Sequence, residues 1–571
     1  MNRPHAIEDG RYDVVICGSG AAGLLAALRV HDLGLRPVVI EKSSRYGGTS
    51  ATSGGGIWIP VNGLSSEGDD KVAARAYLKA VSKGSYREDR LDAYLDHGAD
   101  MVAYLAKLGV PMISVPGFPD YIAEAPGATT GRSLFPLELD GKDIGDAFFR
   151  LRDAPEGYKL FGRYALNLEQ SFSLSSRSPG WQWTAIKLLA KYWLDLGWRR
   201  KTGTDRRLTM GRALVGGLRK AMLERDIPLF LDCALDGLST AGSKVTGVTA
   251  RILGQPVQIN APSGVILAAG GHEQNQTLRD AHLPVATDRN WSLTPAGMNM
   301  GDALRCGIEI GADTETLDAN WWAPSMQLPS RTVPNLDLAT PMFFDHRHPF
   351  SLCVNRLGKR FVNESCSYDE FGQAMIADHQ ATGANVPCWM VFDAKFRARY
   401  PCGPILPAFI MPDRALPDEW WDSYIFRADN LATLAEKMRV PGDTLAESIG
   451  RMNEYAASGV DAEFGRGQNR FDRFFGKDDV APNPCFGPID KPPYYAVRID
   501  LGDLGTKGGL KTDRHARVLA RNGEPIGNLY AVGNCAGSPF GNCYPGAGGT
   551  LGPATVFAYI AAGHIASTGP E

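Results

Sequence analysis

A glycine-rich turn near the start of the chain constrains the fold more than any other feature. Residues 12–17, YDVVIC, form an apolar run that predicts a short buried strand, and GSGAAG follows directly at 18–23. Residues 24–34 have helical character, and RPVVIE at 36–41 predicts a second buried strand that ends in an acid. Strand, glycine turn, helix, strand and acid in this order predict a dinucleotide-binding unit in an α/β fold.

Each part of this unit has a physical role. Gly18 permits the tight turn, Gly20 lets the backbone approach a pyrophosphate, and Gly23 lets the helix pack closely on the strand. The helix N-terminus offers free N–H groups and partial positive charge to the phosphates. Glu41, at the end of the second strand, is placed to accept hydrogen bonds from a ribose diol.

Three later segments favour FAD over NAD as the dinucleotide. KSSRYGGTSATSGGG follows Glu41, and its small residues can wrap backbone N–H groups around phosphates and a flavin edge. GVILAAGG at 264–271 and NLYAVGN at 528–534 predict two further strands that end in glycines or in a glycine-rich loop. Because the strands of one sheet then lie near residues 12, 264 and 528, the FAD domain is predicted to be discontinuous. We assign it to 1–325 and 490–571, with an inserted α+β substrate domain over 326–489.

Composition removes several classes of function. The 571 residues exceed what one hydrophobic core supports, and a net charge of −3 gives no general attraction to nucleic acid. No cysteine and histidine spacing is typical of a zinc site or an attached haem, so no metal is expected. No run approaches the roughly 18 apolar residues of a membrane span, and no apolar segment precedes the first strand. The expected location is therefore the cytoplasm.

The segment 181–207, WQWTAIKLLAKYWLDLGWRRKTGTDRR, differs from the rest because it is rich in tryptophan, lysine and arginine. Ile186, Leu189, Trp193 and Leu196 follow helical spacing. Such a helix suits a membrane interface, which would place the protein at the inner face of the cell membrane. A helix packed on its own domain or on an oligomer partner fits the same pattern.

Three tyrosine-containing segments carry the most specific pattern. FPDYIAEAPGATTGR contains Tyr121, NRLGKRFVNESCSYDEF contains Tyr368, and GNCYPGAGGTLGPA contains Tyr544 and Gly548. With the glycine-rich segments, they resemble the 3-ketosteroid Δ1-dehydrogenases, a branch of the fumarate reductase and succinate dehydrogenase flavoprotein superfamily. The YPGxG spacing and the LGPA that follows it are the most specific parts of this resemblance.

The resemblance implies a Rossmann-like FAD-binding domain that holds FAD non-covalently. It places these residues at the cofactor: Gly18, Gly20, Ala22, Gly23, Glu41, Lys42, Gly48, Thr49, Ser50, Gly55, Gly56, Ala269, Gly270, Asn534 and Leu551. Pro553 suits the first turn of a helix over 550–566. If that helix points at the flavin, its dipole would stabilise negative charge on the reduced ring; the alternative is a packing helix capped by proline.

The resemblance also implies a reaction, the removal of the C2 proton and the C1 hydride from a 3-ketosteroid. Tyr544 O–H and Gly548 N–H would polarise the C3 carbonyl. Tyr368 would take the C2 proton with Tyr121 as its hydrogen-bonded helper and proton relay, while the C1 hydride passes to flavin N5. An unperturbed tyrosine, with a pKa near 10, matches neutral pH poorly, so Tyr368 needs another donor or a local positive potential. If the protein lies beside a membrane, a quinone would suit the role of the acceptor that takes the electrons from the reduced flavin.

Three other functions stay open from the sequence. A fumarate-reductase-like enoate reductase needs several cations for two carboxylates, and DHRHPF at 345–350 is the obvious cluster, although structural or surface roles are expected for His346, Arg347 and His348. A Δ4-type ketosteroid dehydrogenase, or one acting on another cyclic ketone, would keep the flavin. A non-catalytic flavin-binding module would keep it without the chemistry. The preferred steroid and the oligomeric state are not readable from these residues.

Overall fold

The structure is a computed structural model that describes residues 12–65, 68–154, 159–160, 163–176, 179–329 and 337–568. The prediction that no apolar segment precedes the first strand concerns residues 1–11, which lie outside the described residues.

The strands are mostly short and apolar. In chain order they are β1 (Val14–Cys17), β2 (Pro37–Ile40), β3 (Ile57–Trp58), β4 (Met112–Ser114), β5 (Ser133–Pro136), β6 (Leu139–Asp140), β7 (Lys159–Leu160), β8 (Tyr164–Ala165), β9 (Arg207–Leu208), β10 (Leu229–Phe230), β11 (Cys233–Ala241), β12 (Lys244–Ile252), β13 (Gln255–Asn260), β14 (Gly264–Leu267), β15 (Thr314–Glu315), β16 (Asn320–Pro329), β17 (Asp337–Pro341), β18 (Ser351–Val354), β19 (Cys388–Phe392), β20 (Ile425–Ala428), β21 (Tyr494–Thr506), β22 (Gly509–Leu510), β23 (Arg517–Leu519) and β24 (Pro525–Ala531).

The helices lie between these strands. They are α1 (Ala21–Asp32), α2 (Gly48–Thr52), α3 (Lys71–Ser82), α4 (Glu88–Lys107), α5 (Leu168–Ser176), α6 (Trp181–Leu194), α7 (Leu196–Arg199), α8 (Met210–Leu223), α9 (Gln276–His282), α10 (Asp302–Glu309), α11 (Tyr368–Thr382), α12 (Ala394–Arg399), α13 (Leu431–Met438), α14 (Gly442–Ser458), α15 (Arg470–Phe474) and α16 (Leu551–Thr568).

The first sheet joins three distant parts of the sequence. Its described strands run in the order β10-β2-β1-β14-β24-β12-β11, with β13 beside β12 and β23 beside β24. The central pairs β1–β2, β1–β14 and β14–β24 are parallel. Every residue of β1, β2 and β14 is buried, because packed structure covers both faces of the sheet. This sheet confirms the predicted α/β, Rossmann-like fold.

The two faces of this sheet belong to different cores. Val14 and Ile16 pack in the core that contains α1, α8 and α16. Val15 and Cys17 point the other way, into a core shared with β12, β13 and α10. Alternate side chains of a strand point to opposite faces, so a four-residue strand that is apolar throughout reaches both cores.

The glycine turn after β1 is required by close backbone packing. Gly18 has φ +114°, and a Cβ there would lie 2.3 Å from the carbonyl oxygen of Ala268. A Cβ on Gly23 would lie 2.0 Å from the carbonyl oxygen of Gly18. The start of α1 can therefore approach β1 and β14 only without side chains at these two positions.

The second sheet is antiparallel and runs in the order β17-β16-β21-β19-β18, with β20 beside β21. Helix α11 packs against β16 and β21, while α13 and α14 form a separate core with β18 and β19. The strands of this sheet extend from Asn320 to Thr506, beyond the predicted segment 326–489 at both ends. The second sheet thus includes residues on both sides of the predicted segment, and the domain boundaries themselves remain a prediction.

The last helix, α16, begins at Leu551, so Pro553 lies in its first turn as expected. It packs against α1 and α4. None of the helices in the described residues is both long and apolar enough to cross a bilayer.

We predict that Gly23→Ala lowers the free energy of unfolding by about 3 kcal/mol, because the added methyl group overlaps the Gly18 carbonyl oxygen. The matched control is Gly450→Ala in α14, where a Cβ has no atom within 4 Å; it should raise stability by up to about 1 kcal/mol through helix propensity. Thermal melting of both variants tests this, and equal melting temperatures would contradict it.

Candidate functional site

A large cavity lies against both sheets. Its volume is about 2080 Å³, and its wall includes the turn after β1, the N-terminal end of α16, residues of β16 and β17, and α6. Small-molecule pockets usually measure roughly 300–1,000 Å³, so this cavity has room for a dinucleotide and a second ligand.

The cavity brings the predicted cofactor residues together from four separated segments. All of them lie on its wall except Gly23. Gly23 was predicted to contact the cofactor, but it lies behind the wall, where its role is the packing of α1 on the Gly18 turn. The other predicted residues line the cavity, and their individual contacts with the cofactor remain predictions.

Glu41 is held in one orientation by the chain around it. Its Oε2 accepts hydrogen bonds from the Ser19 hydroxyl at 2.6 Å and the Ser19 backbone N–H at 3.2 Å, and its Oε1 accepts from the Ser43 N–H at 2.9 Å. Each carboxylate oxygen has further lone pairs that a ribose diol can use. The neighbouring Lys42 forms an ion pair with Asp302 at 2.7 Å, so its charge is already engaged.

The start of α1 fits a pyrophosphate. Gly20 precedes the helix and carries no capping side chain, while Ser50 Oγ accepts a hydrogen bond from the Ala21 N–H at 3.1 Å. A Cβ on Gly20 would lie 3.2 Å from that Ser50 oxygen, so glycine keeps the passage between the two segments open. The helix N-terminus, the fixed acid and the bare glycine wall together suit an FAD. The described wall contains no histidine, and non-covalent attachment stays a prediction.

Three tyrosines meet at another part of the cavity. The Tyr121 hydroxyl donates a hydrogen bond to the Tyr368 hydroxyl at 2.9 Å. The ring centres of Tyr121, Tyr368 and Tyr544 lie 5.4 Å apart in all three pairs, with steep angles between the ring planes. All three rings and Gly548 lie on the cavity wall. The structure therefore brings together the four residues predicted to act on the substrate.

Local structure explains the position of Tyr368. It is the first residue of α11, behind an N-cap at Ser367 that forms a capping box with Glu370. The next residue, Asp369, forms a buried ion pair with Lys507 through hydrogen bonds of 2.9 and 3.0 Å. A helix start fixed at both its cap and its first turn gives Tyr368 a defined backbone position.

Tyr544 and Gly548 lie in the loop before α16. Gly548 has φ +97°, and a Cβ there would lie 2.5 Å from the Ile57 backbone. The Tyr121 N–H donates to the Pro545 carbonyl at 3.1 Å, which ties the first tyrosine segment to the third. This loop therefore requires glycine at 548 and positions two tyrosines at once.

Burial makes all three phenols weak acids. It raises the pKa of Tyr121 and of Tyr368 well above 10. It also raises the pKa of Tyr544, although hydrogen bonds from the Thr550 hydroxyl, the Tyr368 hydroxyl and the Gly548 N–H oppose that rise. An ionised phenol at this site consequently needs a positive charge nearby.

The DHRHPF cluster is buried, so a surface role for it is wrong. The His346 ring stacks on Phe371 at 4.6 Å and the His348 ring on Tyr400 at 4.5 Å, and burial holds the pKa of both histidines well below 6.5. Both are therefore neutral packing residues. Asp345 and Arg347 are the members of this cluster that lie on the cavity wall.

Apolar side chains complete the wall near the tyrosines. Phe343 and Phe344 line the cavity, whereas Trp322 is a core residue and Trp321 packs against Tyr544 at 4.9 Å between ring centres. The sequence interpretation missed other aromatic wall residues: Phe118, Phe135, Phe409, Trp420, Phe471 and Phe475. No spacing pattern marks them, because they come from a strand, helices and loops that are far apart in the sequence.

A parallel sheet with a dinucleotide-binding turn, joined to an apolar cavity with clustered hydroxyls, defines a flavin-dependent oxidoreductase. The family model described as an FAD binding domain matches residues 13–551. A 3-oxosteroid 1-dehydrogenase of Mycobacterium tuberculosis is 37% identical over 97% of this chain and 98% of that protein. A 4-oxocyclohexanecarboxylate 2-dehydrogenase of Sinomonas cyclohexanicum is 35% identical over 97% of this chain and 93% of its own length.

A solved structure is more similar still. The crystal structure of the 3-ketosteroid Δ1-dehydrogenase of Sterolibacterium denitrificans, in complex with 1,4-androstadiene-3,17-dione, is 44% identical with a TM-score of 0.94, covering 98% of this chain and 100% of that one. The chain belongs to the FAD-binding-domain family and, within it, to the 3-oxosteroid 1-dehydrogenases.

We predict that Glu41→Gln weakens FAD binding about tenfold or more. Hydrogen bonds to a charged group contribute roughly 1.5–3 kcal/mol, and the new amide N–H₂ would also face the Ser19 donors. Flavin release on dilution, followed by fluorescence, measures the change. The control is Glu224→Gln, which changes an exposed glutamate that forms an ion pair with Lys220. Unchanged FAD affinity in Glu41→Gln would exclude Glu41 from the FAD site.

Proposed function

We propose that this protein is an FAD-dependent 3-oxosteroid 1-dehydrogenase, which removes one hydrogen each from C1 and C2 of a 3-ketosteroid. The observation that carries the proposal is the tyrosine cluster on the wall of the cavity, with Tyr121 hydrogen-bonded to Tyr368 and both rings against Tyr544. The bound product in the Sterolibacterium denitrificans structure, 1,4-androstadiene-3,17-dione, supports a steroid substrate.

The ketone oxygen is held by Tyr544 and Gly548 in this proposal. Tyr544 and Gly548 lie four residues apart in the loop before α16 and both line the cavity, so the two proposed donors belong to the same part of the wall. A C3 carbonyl oxygen that accepts from both carries more negative charge, and its C2–H bond becomes more acidic. One such donor typically contributes a factor of about 100–1,000 in rate.

Tyr368 is the proposed base. It takes the C2 proton on its phenolic oxygen, and the electrons of the broken C2–H bond form the new C1–C2 double bond as a hydride leaves C1. FAD, when bound, supplies the two-electron acceptor for that hydride. The 2.9 Å hydrogen bond between Tyr121 and Tyr368 orients the Tyr368 oxygen.

The shape and charge of the wall favour a steroid over a small dicarboxylate. Phe118, Phe343, Phe344, Phe471 and Phe475 offer flat apolar surface beside the tyrosines. Arg347 is the cation that interacts with this cluster among the described residues, whereas two carboxylates need several. A fumarate-reductase-like activity is therefore disfavoured.

We predict that Tyr368→Phe and Tyr544→Phe each lower kcat at least 100-fold on a 3-ketosteroid while FAD stays bound, because one loses the base and the other an oxyanion donor. Steady-state rates with a dye acceptor, read beside the flavin absorbance, measure this. Tyr455→Phe, a partly exposed tyrosine of α14, should keep normal turnover.

The substrate class is tested on the same preparations. Turnover of 4-oxocyclohexanecarboxylate with no turnover of 3-ketosteroids would move the function to small cyclic ketones. Near-normal rates in Tyr368→Phe or Tyr544→Phe would remove that residue from the chemistry.

We also propose that α6 and α7 contact the inner face of the cell membrane, from which the steroid enters and where a quinone takes the electrons. The four residues of the predicted apolar stripe are exposed, from 39% at Leu189 to 61% at Leu196. Two apolar residues outside that stripe are exposed still further, Trp183 at 66% and Leu194 at 80%. Exposed lysines and arginines flank them: Lys187, Lys191, Arg200 and Lys201. Apolar residues beside cations fit an anionic lipid surface.

The same helix borders the cavity. Trp181, Ala185, Leu188 and Leu189 of α6 lie on the cavity wall, while Trp183 and Leu194 are exposed. A surface that touches lipid at one side and the cavity at another suits a substrate that partitions into membranes. An oligomer partner on this face is the competing occupant.

We predict that Trp183→Ser, Trp193→Ser and Leu194→Ser together lower binding to anionic phospholipid vesicles at least tenfold, because about 1.5–3 kcal/mol of apolar transfer is lost at each site. Co-sedimentation measures binding. Val72→Ser with Leu253→Ser, two equally exposed apolar residues elsewhere, is the control. Unchanged vesicle binding with a change in sedimentation coefficient would assign the face to a second copy of the chain.

Substitution is a sharper test than deletion of 181–207. Trp198 of α7 is buried against Phe148 at 4.8 Å between ring centres, and Arg207 hydrogen-bonds Asp205 and the Ala165 carbonyl. Removal of the whole segment would therefore disturb the fold as well as the exposed face.

A further inference from the structure

We propose that the buried guanidinium of Arg347 is a positioning and charge-stabilising group for the Tyr121–Tyr368 pair, holding the negative charge that this pair carries when it acts as the base. The inference rests on the proposed dehydrogenation. It assigns to Arg347 a role that neither the tyrosine motifs nor the family resemblance indicates.

Within the part of the chain that the structure describes, Arg347 is a buried charge without a compensating ion pair. Its side chain is 4% exposed, and its Nε and Nη1 have no hydrogen-bond partner among the described residues. The carboxylate that interacts electrostatically with it is Asp472, whose Oδ2 accepts from Asn363 at 2.8 Å and from the Gly467 N–H at 2.8 Å. A buried, unpaired charge costs several kcal/mol, so a fold that keeps one at a cavity wall retains it against a large penalty.

Aromatic rings hold the guanidinium beside the tyrosines. Its central carbon lies 4.7 Å from the ring centre of Phe475 and 4.8 Å from that of Phe471. Phe471 in turn packs on Tyr121 at 5.2 Å. These contacts stabilise a cation through the ring faces, and they exclude water, which strengthens the Coulomb interaction with a phenolate.

The backbone of Arg347 and the segment before Tyr368 are tied to one buried arginine. Arg466 donates through Nη2 to the Arg347 carbonyl at 3.2 Å and to the His348 carbonyl at 3.1 Å. Its Nε and Nη1 bond Ser365 Oγ at 3.2 Å and Glu364 at 3.3 Å, three and four residues before Tyr368. The relative position of guanidinium and phenol is therefore built into the core.

Among the charged groups that act on Tyr121, Arg347 is the one that opposes the rise in pKa caused by burial. Burial raises the pKa of Tyr121 most, and the Tyr544 and Asp369 interactions raise it further, while the Tyr368 hydrogen bond and the Arg347 charge lower it. Burial lowers the pKa of Arg347, and the interactions with Tyr121, Cys366, Asp472 and Tyr368 oppose that lowering. Lys507 already neutralises Asp369 through its ion pair, so its charge is engaged outside the phenol pair.

The test compares Arg347→Met, which removes the charge, with Arg347→Lys, which keeps it. Loss of the positive charge destabilises the phenolate, so its pKa rises and the ascending limb of the kcat–pH profile moves to higher pH. We expect a shift of at least one pH unit in Arg347→Met, with kcat reduced tenfold or more below that limb, because each unit changes the ionised fraction about tenfold. Arg347→Lys should retain most of the wild-type limb.

Proton exchange isolates the step from hydride transfer. With the flavin reduced beforehand by dithionite, deuterium uptake at C2 of a 3-ketosteroid reports proton abstraction alone, and it should show the same shift with pH. Arg219→Met is the control, since this arginine also has an unpartnered Nε but lies over Tyr46, away from the cavity.

The outcomes separate the two proposals. No C2 exchange in the wild type would overturn the dehydrogenation itself. If the wild type exchanges and Arg347→Met has the same pH profile, the proposed role of Arg347 is overturned. An increased KM with no shift in the ascending limb of the kcat–pH profile would also overturn it and would make Arg347 a substrate-binding residue. If Arg347→Met does not retain FAD, Arg347→Gln, which keeps a polar group in the buried site, replaces it in the same comparison with Arg347→Lys.

Discussion

The site depends on a close backbone approach between the two ends of the chain. Gly548 lies against Ile57 so tightly that no side chain fits, and the Trp58 N–H donates to the Gly548 carbonyl at 3.1 Å. The loop that makes this contact also carries Tyr544 and receives the Tyr121 N–H. One glycine contact thus sets the relation between the ketone-holding residues and the helper of the base.

The second constraint is electrostatic. Three phenols in a low-dielectric wall resist ionisation, yet the proposed chemistry needs one of them as a base. In our proposal, the buried cation Arg347 stabilises that charge. The ion pair between Lys507 and Asp369 neutralises the carboxylate next to Tyr368. The burial of this cation lowers the stability of the fold, and the same cation favours the phenolate during the reaction. Such opposed effects are common at functional sites with perturbed pKa values.

Much of the fold and of the cofactor site could be predicted because both rest on short-range rules. The strand, glycine turn and acid at 12–41 require particular residues at fixed spacing, and the α/β sheet and the wall positions of Glu41 and Gly20 followed. Gly23 has the packing role that the motif assigns to it, and it lies behind the cavity wall. The second sheet reaches past 326–489 because β16 and β21 pair at long range, which no local pattern encodes.

The sequence by itself determined the nucleotide-binding unit, the flavoprotein class and the three tyrosine segments, because each depends on residue types within a few positions of one another. Tertiary structure alone decided that the histidines of DHRHPF are neutral core residues and that Arg347, among the described residues, is buried without an ion pair. Burial and Coulomb interactions depend on distances in space between residues far apart in the chain. Those distances exist only once the two sheets and the closing loop have packed together.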